Sequence, residues 1–155
     1  MMDTVSTHSP SSTISAGRHV HEFHLRFSDM DMLGHVNNVK FFGYLEDARM
    51  EMLHADPLRT GGQPLVGLVV ARHEMDYRRP LLPQVQPVRV ETWVAEVGRS
   101  SFTLRYEVRD DRNVYAEASS VLVAFDAETN RSRAFTESER AFLDRYHATD
   151  PAPGR

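Results

Sequence analysis

The 155-residue sequence contains no cysteine. This absence excludes disulfide bonds, thiolate metal sites and cysteine nucleophiles, and it fits a reducing compartment, so we expect a cytoplasmic protein. The sequence also lacks any apolar run near the ~20 residues that a membrane helix requires, so no membrane partner is expected. Positive charge is not in excess, since the formal net charge is −4. A nucleic-acid partner is therefore not expected, because phosphate binding needs a basic surface.

The remaining composition is that of one globular domain with a core. Apolar residues make up 41% of the sequence and charged residues 26%. Residues 1–18 are rich in Ser and Thr, and they lack the basic start and apolar centre of a secretion signal. We interpret them as a flexible tail, and the Pro- and Gly-containing residues 149–155 in the same way. The predicted domain spans residues 19–148.

The first half of this domain shows one strand-like and one helix-like pattern. Apolar and polar residues alternate over 23–28, which predicts a half-buried strand. Apolar residues then recur at steps of three and four over 38–54, which predicts an amphipathic helix with Glu46 and Arg49 on its solvent side. Gly43 lies inside this helix, and we expect it to allow close packing against a sheet.

Strand-like alternation returns after the helix in four successive runs, at residues 69–78, 88–94, 102–109 and 114–125. A polar turn at 110–113 predicts a hairpin, and a capping box formed by Thr136 and Glu139 predicts a short last helix. The short turns require antiparallel pairing, so we expect an α+β fold with a five-stranded antiparallel sheet and one long helix. Because such a sheet exposes its edges, a homodimer is expected.

The chemically reactive groups concentrate between the first strand and the long helix, in the sequence DMDMLGHVNN at residues 29–38. Backbone N–H groups at a helix start can polarise a carbonyl oxygen, and Gly34 lets the backbone approach a ligand closely. A carboxylate that faces such a carbonyl can attack it or activate a water molecule. Asp29 and Asp31 are the candidate carboxylates, although either residue could instead cap a turn.

This run, DxDxxGHVNN, is followed by FFxYxExAR at residues 41–49, and together they resemble the 4-hydroxybenzoyl-CoA thioesterase branch of the hotdog superfamily. Three later segments are similar to the same branch: HEMDYRRP at 73–80, VGRSSF at 97–102 and AEA at 116–118. The resemblance covers about residues 21–146. It implies a hotdog fold, in which the sheet wraps around the long helix. It also implies an acyl-CoA thioesterase that uses no metal and no cofactor beyond the CoA of its substrate.

The resemblance implies roles for particular residues. Asp31 is the nucleophile or general base, and the backbone amide of Asn38 polarises the thioester carbonyl. Gly34 and His35 complete the catalytic loop. The residues implied to bind substrate are Asn37, Arg99, Ser100, Ser101 and Arg133. Members of this family form dimers or tetramers with shared sites, so the resemblance implies a homodimer or a homotetramer.

Some residue roles stay open. Glu46 is a second candidate for the catalytic carboxylate, although an ion pair with Arg49, three residues later, would also explain it. His35 can be a general base, contact the substrate, or shape the loop through a bond between its side chain and the backbone. Asn37 can hold the loop or orient water.

The functional class also has alternatives. The HVNN sequence at 35–38 resembles acyl-carrier-protein thioesterases as well, and carrier protein and CoA share the phosphopantetheine arm. A non-catalytic module that binds an acyl or CoA ligand is a further hypothesis, and a hotdog dehydratase is a weaker one. No metal site is expected at His19, His21 and His24, because their spacing divides them between two strand faces without a completing carboxylate or thiol. We expect these histidines to lie on a surface strand.

Overall fold

The computed structural model describes residues 17–151. Of the two predicted tails, only residues 17–18 and 149–151 lie within this range, and both of these segments approach the sheet. The guanidinium of Arg18 lies 3.9 Å from the centre of the Trp93 ring, and the Trp93 indole donates to Asp150 (3.1 Å). Between residues 17 and 151, no helix is long and apolar enough to cross a membrane.

The secondary structure follows the predicted order of one strand, one long helix and a run of strands. In chain order the elements are β1 (His19–Phe23), a 3-10 turn (Phe27–Asp29), α1 (Asn38–Met50), a π-helical turn (Glu51–Ala55), α2 (Asp56–Arg59), β2 (Leu68–Tyr77), β3 (Val88–Val97), β4 (Ser101–Arg109), β5 (Val114–Asp126), β6 (Arg131–Ser132) and α3 (Glu137–Arg145).

The five long strands form one antiparallel sheet in the order β1-β3-β4-β5-β2, and the two-residue β6 extends it beside the end of β5. The predicted 110–113 turn joins β4 to β5, since Asp110 Oδ1 accepts from the amides of Arg112 (2.9 Å) and Asn113 (2.8 Å). α1 packs on one face of the sheet. This arrangement is the hotdog fold, and the predicted α+β architecture is confirmed.

The core lies between α1 and the sheet. Phe41, Leu45 and Ala48 project from α1 at helical spacing and are buried. They face an apolar sheet surface that includes Val90 and Leu104, both fully buried. Burying each large side chain contributes roughly 1.5–3 kcal/mol, so this packing holds α1 on the sheet. The first residue of α1 also lies at the end of β2, where the Tyr77 hydroxyl donates to the Asn38 carbonyl oxygen (2.7 Å).

The position predicted for the first strand is wrong. β1 ends at Phe23, and the Phe27 side chain is 97% exposed rather than part of the core. The chain leaves the strand because the Asp29 carboxylate accepts from the Arg26 amide (3.1 Å) and closes a 3-10 turn. The apolar alternation across 23–28 therefore spans a strand end and a turn.

Two predictions about residues of α1 need correction. Arg49 is buried, and its Nη1 donates to the Tyr106 hydroxyl (3.3 Å) instead of pairing with Glu46. A polar group on the sheet beneath the helix thus holds this guanidinium inside. Gly43 is exposed, and a Cβ at this position would contact nothing within 4 Å. Within the described chain, close packing therefore does not explain this glycine.

The expectation that His19 lies on a surface strand is also wrong, because its side chain is 1% exposed. His19 Nε2 lies 2.6 Å from Asp56 Oδ2, so it connects β1 to the start of α2. Burial lowers the pKa of His19, and this effect outweighs the raising effect of Asp56. In residues 17–151, no group of three or more His, Asp or Glu side chains could hold a metal ion.

Candidate active site

The loop between β1 and α1 closes around Asp31. The Asp31 amide donates to the His35 carbonyl (3.2 Å), and the Gly34 amide donates to the Asp31 carbonyl (3.1 Å). Gly34 has φ +81°, a left-handed conformation that glycine adopts without a steric penalty. The Asp31 carboxylate accepts from the Leu33 amide through Oδ1 (2.9 Å), which tightens the turn further. The backbone thereby fixes the position of this carboxylate.

The Asn37 side chain connects Asp31 to the start of α1. Its Nδ2 donates to Asp31 Oδ2 (3.1 Å), while its Oδ1 accepts from the Val39 amide (2.9 Å) as the N-cap of the helix. Both polar groups of the Asn37 side chain are thus used within the chain. The prediction that this residue binds substrate remains untested, but its contacts favour a role in holding Asp31.

The backbone amide of Asn38 has a different environment. It lies in the first helical turn, where N–H groups have no partner inside the helix. Asn37 caps Val39 instead, and no acceptor for the Asn38 amide is found in the described part of the chain. This N–H therefore combines an open donor with the positive end of the α1 dipole.

Asp29 has a structural environment that separates it from Asp31. It is buried, and its Oδ2 accepts from both the Tyr44 hydroxyl (2.7 Å) and the Arg26 amide (3.1 Å). Burial, and then the hydrogen bond to Asp29, raises the pKa of Tyr44. The Asp29 carboxylate therefore ties the loop to α1, and it is not among the residues that line the cleft described next.

Asp31 and Asn38 open onto one cleft of about 430 Å³. The cleft is lined by Asp31, Leu33, His35, Val36, Asn38, Phe41, Tyr77, Arg78, Arg79, Pro80 and Leu81. The sequence patterns assign no role to Phe41 or Tyr77, although the similarity of residues 73–80 to the thioesterase branch was an available signal for Tyr77. From the sequence, Arg78 and Arg79 are interpreted as solvated residues, with contact to a CoA phosphate as the minor alternative.

Two depressions elsewhere are larger, at about 490 and 560 Å³. Their walls are mostly polar and include side chains that already pair with each other, such as Arg89 with Asp111 (2.7 Å) and Arg105 with Asp150 (3.1 Å). By contrast, the cleft beside Asp31 has mostly apolar walls, and Asn38, whose backbone amide has no acceptor among the described residues, is one of the residues that line it. We therefore place the candidate site there despite its smaller volume.

The other predicted site residues differ in their proximity to this cleft. His35 lines it and is half-buried, and its Nδ1 lies 3.4 Å from the Val36 carbonyl oxygen. Glu46, the alternative carboxylate, is exposed on α1 and does not line the cleft. It lies eight residues beyond Asn38, about 12 Å along the helix axis. The structure therefore places Asp31, and not Glu46, in the same cleft as Asn38.

Arg99, Ser100 and Ser101 lie at the opposite end of the sheet. The Ser100 carbonyl accepts from Ala124 (2.8 Å), which pairs with Leu68 at the start of β2, whereas Tyr77 at the end of β2 contacts Asn38. Nine residues at ~3.3 Å each separate these two ends of β2 by about 30 Å. One chain therefore does not bring its own Arg99 and Asp31 together.

Arg133 lies near this distant end as well, and its guanidinium is already engaged. It forms two hydrogen bonds to Glu139 (2.7 and 2.9 Å) and one to the Val66 carbonyl (3.3 Å). The pairing with Arg133 is the main cause that lowers the pKa of Glu139 to about 2. Glu139 also completes the predicted capping box with Thr136, which is confirmed. These contacts favour a structural role for Arg133.

Known proteins resemble this chain in both sequence and fold. The uncharacterized protein YsmA of Bacillus subtilis (strain 168) is 31% identical over 121 residues, which cover 77% of this chain and 80% of that protein. A thioesterase from Thermus thermophilus, solved with coenzyme A and Zn, is 32% identical with a TM-score of 0.69, covering 84% of this chain and 95% of that one.

A predicted thioesterase from Bacillus stearothermophilus shares the fold, with a TM-score of 0.73 and 24% identity over 85% of this chain and 98% of that one. The model of the thioesterase-like superfamily matches residues 25–144, which include the β1–α1 loop, the cleft and nearly the whole sheet. The chain therefore belongs to the thioesterase-like superfamily.

Proposed function

We propose that this protein is an acyl-CoA thioesterase, which hydrolyses an acyl thioester to a free acid and CoA. One observation carries the proposal: Asp31, whose carboxylate is held by hydrogen bonds, and Asn38, whose backbone amide is open at the start of α1, line the same apolar cleft. A thioester needs these two groups, because its carbonyl carbon must be attacked while negative charge develops on its oxygen.

In the proposed reaction the thioester carbonyl oxygen accepts a hydrogen bond from the Asn38 amide. Asp31 then either removes a proton from a water molecule, whose oxygen adds to the carbonyl carbon, or adds to that carbon directly. The carbon–sulfur bond breaks, and the departing thiolate takes up a proton. On the direct route, water afterwards cleaves the mixed anhydride and regenerates Asp31. Gly34, which has no side chain, leaves room for the substrate beside the loop.

CoA as the thiol component is supported by the Thermus relative, which was solved with coenzyme A. Two substrates with the same acyl group, one attached to CoA and one to acyl carrier protein, distinguish the two carriers. The rate of hydrolysis of each is measured as the release of thiol. The chain has no cysteine, so it adds no thiol background. We expect faster hydrolysis of the CoA ester. Faster hydrolysis of the carrier-protein ester would instead indicate an acyl-carrier-protein thioesterase. Ligand-dependent stabilisation without turnover of either ester would indicate a non-catalytic module.

We also propose that the working form is at least a homodimer. β2 is an edge strand, and most of its side chains are exposed, including Val69, Val70 and Tyr77 at 43–45%. An exposed edge strand can pair with the same strand of a second copy. Antiparallel pairing of two β2 strands would bring the start of one beside the end of the other. The partner's Arg99–Ser101 turn would then approach the Asp31 cleft, which the chain's own turn does not reach.

A further inference from the structure

The rim of the Asp31 cleft carries two neighbouring arginines with different electrostatic environments. Arg78 is neutralised within the chain, because its Nε and Nη2 both donate to Glu117 Oε2 (2.9 and 2.7 Å). Arg79 instead donates to a neutral acceptor, Asn113 Oδ1 (2.6 Å). Among residues 17–151, no carboxylate forms an ion pair with Arg79. Of the two arginines at the rim of the cleft, Arg79 is therefore the one whose charge is not paired with a carboxylate.

Arg79 is held in place on both sides. Its backbone amide donates to the Tyr115 carbonyl (3.2 Å), and the following residue, Pro80, has a restricted φ. The guanidinium rests on Asn113, whose own amide donates to Asp110 Oδ1 (2.8 Å). A cation ordered in advance loses less conformational entropy when it binds a ligand.

The turn that supports Arg79 also persists over a wide pH range. Burial tends to raise the pKa of Asp110, but hydrogen bonds from the Tyr115 hydroxyl and from the amides of Arg112 and Asn113 outweigh burial and lower that pKa to about 2. Asp110 is therefore ionised at any pH at which a thioesterase would be assayed. The ionised Asp110 carboxylate accepts hydrogen bonds from these donors and so holds Asn113 in place. Asn113, which is neutral, remains the hydrogen-bond partner of Arg79.

We propose that Arg79 binds an anionic group of the thioester substrate at the rim of the Asp31 cleft, an inference that rests on the proposed function of this cleft. A guanidinium presents five N–H donors in a planar fork that matches the oxygens of carboxylate or phosphate. Asn113 accepts a single hydrogen bond from the Arg79 guanidinium. Two sources have this chemistry. One is a second carboxylate on a dicarboxylic acyl group, and the other is a phosphate of the phosphopantetheine-bearing carrier.

The test measures binding rather than turnover, so that it does not depend on Asp31 being catalytic. The variant is Arg79→Gln, and the matched control is Arg112→Gln, which removes the same charge from a nearby exposed residue that does not line the cleft. Three non-hydrolysable ligands have a methylene in place of the thioester sulfur. They are a neutral acyl group on CoA, the same acyl group on N-acetylcysteamine, and a succinyl group on N-acetylcysteamine. Calorimetry and NMR titration give the Kd values.

Loss of a charge-assisted contact should weaken binding by about tenfold or more. Weaker binding of the neutral CoA analogue alone identifies phosphate as the anion, and weaker binding of the succinyl N-acetylcysteamine analogue identifies the acyl carboxylate. The neutral truncated analogue should bind both variants and wild type equally. The proposal is overturned if Arg79→Gln and Arg112→Gln behave alike on all three ligands, or if wild type binds none of them. If binding depends on Arg79 but the protein hydrolyses no thioester, the proposed thioesterase function is refuted and the role of Arg79 in binding is retained.

Discussion

At the scale of single residues, the two aspartates of the β1–α1 loop have separate tasks. Asp29 is buried against Tyr44, whereas Asp31 faces the cleft and is held by Asn37 and the Leu33 amide. The motif resemblance indicated Asp31 and Asn38 from the sequence. It could not assign Asp29, because that assignment depends on Tyr44, which reaches the loop only after α1 packs on the sheet.

The contact between Asn37 and Asp31 leads to a prediction about pH dependence. Asn37→Asp keeps an N-cap oxygen for the Val39 amide, so we expect it to fold, but it places a second carboxylate beside Asp31. The like charge disfavours the ionised form of Asp31, so the acid limb of the kcat/KM profile should move to higher pH. Asn37→Ser retains a capping oxygen without the charge and should lower kcat with a smaller shift of this limb. Identical pH profiles for wild type and Asn37→Asp would contradict the positioning role.

At the scale of elements, local pattern predicted the strands of the later sheet, the hairpin and the last helix. It failed where a distant partner decides the conformation. His19 is buried because Asp56, 37 residues away, accepts its hydrogen bond, and Arg49 is buried because Tyr106 lies beneath α1. Neither partner can be identified from the periodicity of one segment. Gly43 costs about 1 kcal/mol relative to Ala inside α1, and no contact in the described structure explains it.

The connection between β1 and α2 predicts a specific pH dependence of stability. Burial lowers the pKa of His19 below its ordinary value of 6.5, so the unfolded state binds more protons than the folded state just below pH 6.5. The contribution of His19 to the free energy of unfolding is therefore fully present above pH 6.5. It falls as the pH drops toward the lowered pKa of this residue. Urea midpoints measured at pH 7.5 and 5.5 should differ more for wild type than for His19→Gln.

Two results would contradict this prediction for His19. One is an equal pH difference in wild type and in His19→Gln. The other applies even if the variant does not fold: an NMR titration of wild type in which the His19 imidazole titrates at or above 6.5. The groups that act on His19 from the packed elements are Asp56, His21, Glu51 and Tyr146, so the variant isolates one member of this cluster.

At the scale of the whole molecule, the sequence predicted the fold because four antiparallel runs after one long helix permit few arrangements. The location of the predicted substrate-binding residues could not be predicted, since strand order alone determines that Arg99 and Asp31 lie at opposite ends of β2. If both residues contact one substrate, they must come from different chains.

This separation predicts complementation between two inactive variants. Asp31→Asn retains Arg99, and Arg99→Gln retains Asp31, so a mixed dimer would contain one site with both native residues. When the two variants are unfolded together and refolded as a mixture, we expect kcat/KM to rise above that of either variant alone. Light scattering should give about twice the 17.7 kDa chain mass or a larger multiple. A monomeric mass, or a mixture no more active than its components, would contradict the shared site.

The most direct measurement of the central claim is kcat/KM for Asp31→Asn on the best acyl-CoA substrate, compared with Glu46→Gln. Positioned acid–base groups contribute typically 10²–10⁴-fold, so Asp31→Asn should lose about a hundredfold or more while its urea midpoint stays near that of wild type. Glu46→Gln should retain wild-type activity, because Glu46 lies outside the cleft. A folded Asp31→Asn variant that hydrolyses the substrate at the wild-type rate would contradict the assignment, and a comparable loss in Glu46→Gln would transfer the role to the helix.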